Sequence, residues 1–410
     1  MRHRSSRHDR ETFLGDTRQD QRWRQDLAAI ARSWRSVCAL GMVCAFPLSA
    51  GIHIAHAAWP VPTVRRFVLP AVVDGPLAVA GNTVAWVTRP GLCHPKVVPS
   101  TCNLASYLHL TDIRSFQPHT IARFSDRVSH VTVLLSQNRL VWMSSRYPTG
   151  GWWVWSRDLP TGRKTLIDSS QAEGGLASAP PSLSLRGDTL AWTRNDCFPG
   201  CLLPGLSSVT IVNLDSGSRR TIAIHHGRCW ILSAPTLAAH TLIWTEQPIV
   251  DTVGCGGDSR VQVMRLNRTT GAIRQITIQP PRGKVAFDIA GNDRFLAWTQ
   301  ESLHTDADSR VMLMDTRTGR AIPVTTVGGG HPSMNSDLLV WHGQYGSTIG
   351  ALDLHTWRYY LLTRNQNTAG AHTGPGSFGP PSGKRVVWDE FRFRDTGGPS
   401  KDSLAIADLP

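Results

Sequence analysis

Residues 182–195, SLSLRGDTLAWTRN, contain the pattern that determines the fold, because this pattern recurs along the chain. A Trp in the same apolar setting occurs seven times, at spacings of 43 to 56 residues. The seven segments are TVAWV around Trp86, RLVWM around Trp142, TLAWT around Trp192, TLIWT around Trp244, FLAWT around Trp298, LLVWH around Trp341 and RVVWD around Trp388. Apolar residues at both alternating sets of positions are typical of a strand covered on both faces. The repeat predicts seven equivalent units.

Three further strands flank each Trp strand. Downstream of Trp192, the segment SVTIVNLDSG at 208–217 has the composition of a strand ending in a glycine turn, and RRTIAI at 219–224 follows as another strand. Upstream lies a short strand and then a Gly-Asn or Gly-Asp pair, which accepts the positive φ of a two-residue hairpin. The clearest pairs are Gly81-Asn82, Gly187-Asp188 and Gly291-Asn292. Each unit is therefore predicted to be a four-stranded antiparallel meander, the blade of a β-propeller.

The two ends of the repeat region complement each other. The last unit has a third strand, SLAIADLP at 403–410, and no fourth. An additional strand, RRFVLP at 65–70, precedes the first unit. Pairing this strand with the last unit would close the ring and remove the open sheet edges. We therefore predict an all-β, seven-bladed β-propeller of four-stranded antiparallel blades over residues 59–410, closed by an N-terminal strand. A β-sandwich, the alternative, does not explain seven equivalent Trp positions.

The segment 182–195 joined to SVTIVNLDSGSRRTIAI at 208–224 resembles the TolB-like propeller repeat of the WD40-like propeller superfamily. That repeat has a turn with Asp and Gly, a strand ending in an aromatic residue, a strand of the "NLDSG" type and a final strand. The family's Ser-Pro-Asp-Gly turn is replaced here by Leu185-Arg186-Gly187-Asp188. The resemblance covers roughly residues 62–410 and implies the propeller fold, without assigning a role to any residue.

Composition and charge exclude several classes of protein. With 41% apolar residues and 18% charged residues in 410, the chain is neither wholly disordered nor a coiled coil. The formal charge of +13 is thinly spread, and no run of clustered Lys or Arg follows Arg35. Nucleic-acid binders usually concentrate their positive charge on one face, so we expect no nucleic-acid partner. We also expect a monomer.

The first 58 residues have the organisation of an export segment. An Arg-rich polar region, residues 1–36, precedes an apolar stretch at 37–58, which is predicted to be a helix. A basic region followed by an apolar one is typical of a signal peptide, and Ala55-His56-Ala57 fits a cleavage site. An uncleaved membrane anchor is the alternative, because the apolar length approaches the ~20 residues that span a bilayer. Either interpretation places the propeller outside the cytoplasm, secreted or membrane-anchored.

Six cysteines follow the export segment and fall in predicted loops. They are Cys93, Cys102, Cys197, Cys201, Cys229 and Cys255. An exported chain favours oxidised thiols, and Cys197-x-x-x-Cys201 lacks a second Cys/His pair at a zinc-like spacing. We expect three disulfides rather than a metal site. Six thiols allow 15 pairings, between which the sequence does not choose.

Candidate binding residues lie at one end of the predicted blades. The loops between second and third strands are long, and they open on the same face as the connections between blades, so this long-loop face is the expected functional surface. The candidates on it are His94, Tyr147, Asp196, His225, His226, Trp230, Glu246, Glu301, His331 and Glu390. The sequence contains no G-x-S-x-G, H-E-x-x-H, phosphate-binding or EF-hand motif, so we assign no catalytic residue, metal or cofactor.

Three functional hypotheses follow from these observations. The first is a non-catalytic, extracytoplasmic propeller that binds a protein or cell-envelope ligand through the long-loop face. The alternative is a propeller hydrolase or lyase acting on polysaccharide or peptide, which requires several His and carboxylate groups close together with perturbed pKa values. A third hypothesis is the sensory ectodomain of an anchored protein.

Overall fold

Seven antiparallel sheets make up the described part of the chain, as a computed structural model shows. The described residues are 62–69, 72–73, 77–89, 105–124, 128–146, 151–170, 180–195, 206–226, 230–233, 235–248, 261–302, 309–325, 328–343, 348–363, 371–394 and 403–410. The predicted polar region 1–36 and the signal or anchor segment 37–58 lie outside them. No helix among the described residues is long and apolar enough to cross a bilayer.

The first four blades follow one another along the chain. Blade 1 contains β2 (Val72–Val73), β3 (Ala78–Ala80), β4 (Thr83–Arg89), β5 (Tyr107–Asp112) and β6 (Pro118–Arg123). Blade 2 contains β7 (Val128–Leu135), β8 (Arg139–Arg146), β9 (Trp152–Asp158) and β10 (Lys164–Ser170). Blade 3 contains β11 (Ser182–Arg186), β12 (Thr189–Asn195), β13 (Leu206–Asn213) and β14 (Arg219–His226). Blade 4 contains β15 (Trp230–Leu232), β16 (Thr236–Leu237), β17 (Thr241–Pro248), β18 (Val261–Asn267) and β19 (Ile273–Ile278).

The last three blades complete the set. Blade 5 contains β20 (Lys284–Gly291), β21 (Phe295–Ser302), β22 (Arg310–Asp315) and β23 (Arg320–Pro323). Blade 6 contains β24 (Gly329–Met334), β25 (Leu338–Gly343), β26 (Ile349–Asp353) and β27 (Tyr359–Leu361). Blade 7 contains β28 (Ala371–Phe378), β29 (Arg385–Arg394), β30 (Ser403–Asp408) and β1 (Val64–Val68). In blades 1 and 4 the first strand is interrupted: β2 and β3 both pair with β4, and β15 and β16 both pair with β17. The predicted seven-bladed, four-stranded antiparallel propeller is confirmed.

The outer strand of blade 7 comes from the beginning of the propeller. Strand β1 pairs antiparallel with β30, and Phe67 lies opposite Leu404. Two ion pairs flank this pairing: Arg65 contacts Asp408 at 3.0 Å, and Arg66 contacts Glu390 of β29 at 2.8 Å. The first described strand is thereby joined to the last one.

The hydrophobic core is divided among the seven blade interfaces. Each of the seven repeated Trp residues lies on the second strand of its blade and is at most 4% exposed. Each also packs against side chains of the preceding blade. Trp192, for example, shares a cluster with Val141 and Trp152 of blade 2. The repeated indole is therefore the wedge that fills the space between two sheets, which explains why every unit needs one.

Polar contacts tie neighbouring blades together on the face opposite the long loops, the tight-turn face. The largest group surrounds Arg139 at the start of β8, whose side chain is only 6% exposed. Its guanidinium contacts Asp158 of its own blade at 2.8 Å, Asp188 of blade 3 at 2.7 Å, and Asp215 of blade 3. Comparable links at other interfaces are Arg268 with Thr189, Arg265 with Thr316, Asn292 with Asn335, Asn335 with Gly383, and Arg385 with Asn82.

One predicted turn differs from its expected form. Gly81 and Gly187 have φ of 56° and 55°, as two-residue hairpins require. Gly291 instead ends β20 without a positive φ, and Asn292 accepts hydrogen bonds from the backbone N–H groups of Arg294 and Phe295. A Cβ on Gly291 would lie 2.6 Å from Ile243 of blade 4. Close packing of two blades, not the turn, therefore requires this glycine.

Candidate functional site

The structure describes only part of the predicted loop face. His94, Tyr147 and Asp196 lie outside the described residues, as do all six predicted disulfide cysteines, Cys93, Cys102, Cys197, Cys201, Cys229 and Cys255. The backbones of His225 and His226 belong to β14 and that of Trp230 to β15, but their side chains are not among those described. Glu246, Glu301, His331 and Glu390 are described in full.

Two of the four described candidates bind indole groups. Glu246 and Glu390 each lie two residues after a repeated Trp, on the same side of the strand. The Trp244 Nε1–H group donates to Glu246 Oε1 at 2.9 Å, and Trp388 Nε1–H donates to Glu390 Oε1 at 3.2 Å. Glu390 also accepts from Arg66 of β1. These carboxylates orient the indole side chains of Trp244 in blade 4 and Trp388 in blade 7. The sequence alone did not indicate this structural role.

The other two candidates belong to a cluster near the long-loop end of blades 5 and 6. His331 lies on β24 and Asp288 on β20, which are the innermost strands of their blades. Both residues lie where the strand register shifts, and both have a positive φ, of 51° and 50°. A bulged strand redirects a side chain out of the regular alternation. His331 Nδ1 consequently lies 2.8 Å from Asp288 Oδ2, across the boundary between two blades.

The exposed His331 imidazole is held in place by both blades. Its backbone N–H donates to Thr299 Oγ1 of blade 5 at 3.1 Å. The side chain is 71% exposed, and no described residue bonds to Nε2. The hydrogen bond to Asp288 raises the pKa of His331, because the carboxylate stabilises the imidazolium, and the charge of Glu301 adds to this effect. The site therefore presents an oriented, readily protonated imidazole to solvent.

A second imidazole, that of His342, lies beside His331, and its pKa is shifted in the opposite direction. His342 on β25 has its ring centroid 6.1 Å from that of His331 and 4.6 Å from that of Phe378 in blade 7. Burial, assisted by the charge of His331, lowers the pKa of His342 to about 4. Its Nδ1 atom is buried and has no hydrogen-bond partner among the described residues. Buried polar atoms are nearly always satisfied, so an exception such as this one calls for an explanation.

The arrangement supports acid–base chemistry or the recognition of a hydrogen-bonding ligand. Two titratable groups whose pKa values are moved apart form an acid and a base at one pH. A carboxylate bonded to one imidazole nitrogen orients the other nitrogen toward a ligand. Within the described ranges, no three His, Cys, Asp or Glu side chains are placed to hold a metal ion.

Sequence reasoning identified His331 and Glu301 of this cluster and missed Asp288, His342 and Phe378. A signal for Asp288 does exist: it is the single charged residue in the apolar segment VAFDIAG at 285–291. His342 directly follows the repeated Trp341, where it resembles an ordinary core position. No residue near His342 in the sequence indicates that its ring lies close to side chains of two other strands, those of His331 and Phe378.

The buried imidazole of His342 predicts a loss of stability in acid. Its pKa of about 4 lies below the ordinary value of 6.5, so the unfolded chain binds a proton between these values and the folded chain does not. The free energy of unfolding should therefore fall as the pH drops from about 6.5 to about 4, by up to about 3 kcal/mol from this group. Denaturant titrations over this range would measure the effect. His342→Phe should flatten the slope, whereas His119→Gln, at an exposed position, should leave it unchanged.

The fold is shared with solved structures of low sequence identity. The β-propeller domain of the Trilobed protease from Pyrococcus furiosus, which has an open velcro topology, matches with a TM-score of 0.54 and 9% identity, over 81% of this chain and 97% of that one. An oligogalacturonate lyase in complex with manganese matches with a TM-score of 0.50 and 14% identity, over 85% and 98%. TolB from Acinetobacter baumannii is also similar, with a TM-score of 0.39 and 11% identity over 80% of each chain. At these identities, the first two likenesses show the propeller fold alone. No protein-family model and no curated protein sequence matches the chain.

Proposed function

We propose that the chain is a non-catalytic, extracytoplasmic β-propeller that binds a protein or cell-envelope ligand through its long-loop face. The observation that carries this proposal is the exposed His331 imidazole, which Asp288 orients at 2.8 Å near the long-loop end of the innermost strands. A side chain that is fixed yet exposed loses little entropy when it binds a ligand. We further propose that β1 holds the ring closed, that residues 37–58 act as a signal or anchor, and that the six cysteines form three disulfides.

The chemistry of the pair indicates a ligand with hydrogen-bond acceptors. When His331 is protonated, Nδ1–H donates to Asp288 and Nε2–H is available for an acceptor such as a carboxylate or phosphate oxygen. The hydrogen bond to Asp288 raises the pKa of His331, so this cation persists to higher pH than that of an ordinary histidine. Binding should therefore weaken as the pH rises through the pKa of His331.

Cosedimentation with cell-envelope fragments of the organism that makes the protein tests this function. His331→Gln should weaken binding by about tenfold or more, because a charge-assisted hydrogen bond contributes about 1.5–3 kcal/mol. Asp288→Asn should weaken it as well, since the imidazole then loses its carboxylate partner. His119→Gln serves as the control for an exposed histidine elsewhere. Unchanged binding in His331→Gln would exclude this site as the binding surface.

A propeller hydrolase or lyase acting on polysaccharide or peptide is the second candidate. The opposite pKa shifts of His331 and His342 at one site favour it, because they provide an acid and a base. Polygalacturonate is a suitable first substrate, since a solved propeller of similar fold is an oligogalacturonate lyase. In an enzyme, His342→Phe should abolish product formation while leaving binding intact. In a binding protein, no product forms and the same substitution leaves ligand affinity unchanged.

A further inference from the structure

The turns between third and fourth strands differ in one informative position. In blades 1 to 6 each turn begins with Asp or Asn, and the backbone N–H four residues later donates to its carbonyl. This later residue has a positive φ in all six turns. It is Gly162, Gly217, Gly271 and Gly319 in blades 2 to 5, with φ between 70° and 75°, but Phe116 in blade 1 and Trp357 in blade 6, with φ of 54° and 58°.

The two aromatic residues compensate differently for this strained backbone. A bulky residue at positive φ costs roughly 1 kcal/mol or more, and such strain concentrates at functional sites. Phe116 stacks on Phe67 of β1 and belongs to the core cluster between blades 7 and 1. Trp357 is 41% exposed, and its ring contact is an edge-on approach to Phe295 at 5.9 Å between centroids. Packing accounts for Phe116 but not for the exposed indole of Trp357.

Trp357 lines a cavity of about 300 Å³ on the tight-turn face. The cavity lies at the tight-turn ends of blades 3 to 6, whereas the His331 cluster lies toward the long-loop ends of blades 5 and 6. Its lining includes the buried residues Phe295, Leu354 and Ala238, and the exposed residues Arg186, Arg294 and His355. At this volume it is at the lower end of the range for small-molecule sites.

Positive charge at this cavity is only partly neutralised. The Arg294 guanidinium lies over the Phe295 ring at 4.8 Å and pairs with Asp315 at 2.8 Å. Arg186 is exposed and has no ion-pair partner among the described residues. Arg268, behind it, bonds to neutral groups, the carbonyl of Ala238 at 3.2 Å and Thr189 Oγ1 at 2.9 Å.

The remaining acid in the lining, Asp293, offsets part of this charge. The Oδ1 atom of Asp293 accepts hydrogen bonds from the backbone N–H of His240 at 3.0 Å and from Thr241 Oγ1 at 2.9 Å. Burial, followed by the nearby charge of Arg186, lowers the pKa of Arg268, whereas the charge of Asp293 acts in the opposite direction. The two guanidinium groups of Arg186 and Arg268 outnumber this one carboxylate, so an anion placed beside Arg186 would be stabilised.

We propose that this cavity is a second binding site, for a small anionic sugar of the uronic acid class. The apolar face of a sugar ring stacks on the exposed indole of Trp357, and the carboxylate pairs with Arg186. An indole provides a large apolar face at low entropic cost, and a guanidinium matches a carboxylate with two parallel hydrogen bonds. The strained turn of blade 6 is retained because glycine, which suits the backbone, would remove the stacking surface.

Calorimetric titration of the chain with glucuronate, and separately with glucose, tests the proposal. We expect glucuronate to bind and glucose to bind at least about tenfold more weakly, because it lacks the charged partner of Arg186. Trp357→Gly should abolish binding while the variant still folds and unfolds cooperatively, because glycine relieves the positive φ and so offsets part of the packing lost with the indole. This combination separates loss of a binding surface from loss of folding.

The control variants distinguish the role of Arg186 from general charge. Arg186→Gln should reduce the affinity for glucuronate to that for glucose, and Arg220→Gln, which removes another exposed Arg of blade 3, should not. Equal binding of glucuronate by Trp357→Gly and the wild type would overturn the proposal, as would the absence of glucuronate binding at millimolar concentration. His331→Gln should leave glucuronate binding unchanged, so failure of this site and of the long-loop site can be told apart.

Discussion

Replacing Trp192 by alanine is expected to lower the free energy of unfolding by about 3–5 kcal/mol. The side chain is 1% exposed and fills the interface between blades 2 and 3, where it packs with Val141, Trp152 and Val212. Removing it leaves a cavity between two sheets that are each hydrogen-bonded internally and cannot move together freely. Urea titration of the purified chain, followed by circular dichroism, would measure the loss.

A matched substitution tests whether the loss comes from the interface. Leu166→Ala removes a large apolar side chain from β10 of blade 2, but this residue is 45% exposed. We expect a change within about 0.5 kcal/mol. If Trp192→Ala costs no more than Leu166→Ala, the repeated indoles are not the wedges that hold the blades together.

The second large effect is expected at Arg139. Its guanidinium is 6% exposed and contacts Asp158, Asp188 and Asp215, which belong to two blades. Replacing Arg139 by methionine keeps much of the side-chain volume but leaves three carboxylates without their shared cation. Breaking a buried ion pair by removing one partner costs about 3–5 kcal/mol, and we expect about 3 kcal/mol because the carboxylates are partly solvated. The midpoint of urea unfolding would report this change.

Arg219 provides the control for this prediction. Its Nη2 atom lies 2.9 Å from Asp168 Oδ2 and so also links blades 3 and 2, but its side chain is 46% exposed. An exposed ion pair contributes about 0–1 kcal/mol. Arg219→Met should therefore be nearly neutral in urea and lose any remaining effect at high salt. An equal cost for both variants would contradict the assignment of Arg139 as the principal polar link between these blades.

The fold was predictable because its determinant repeats. Trp86 and Trp388 sit in equivalent segments, and burial between two sheets demands the same large side chain at each interface. Gly291 shows what a local sequence pattern cannot predict. The Gly291-Asn292 sequence resembled a hairpin turn, but glycine is required there because the side chain of Ile243 in the neighbouring blade leaves no room for a Cβ atom.

The candidate site was less predictable, because its contacts cross blade boundaries. His331 stood out after three glycines, yet its partner Asp288 lies 43 residues earlier, in a different sheet. Glu246 was predicted to lie on the ligand-binding face, whereas its carboxylate accepts a hydrogen bond from the Trp244 indole, two residues earlier on the same strand. A one-dimensional pattern reports which side of a strand a residue occupies. It does not report which side chain of the next blade meets it.

The pairing of β1 with β30 has a consequence for the order of assembly. Arg65 and its partner Asp408 are 343 residues apart in the chain. At about 5–20 residues per second, a ribosome releases β1 roughly 20–70 s before it has made β30. During this interval β30, the strand with which β1 pairs, does not yet exist, so β1 must stay unpaired until β30 has been made. Two adjacent arginines, Arg65 and Arg66, give this waiting strand a charge that discourages pairing with other chains.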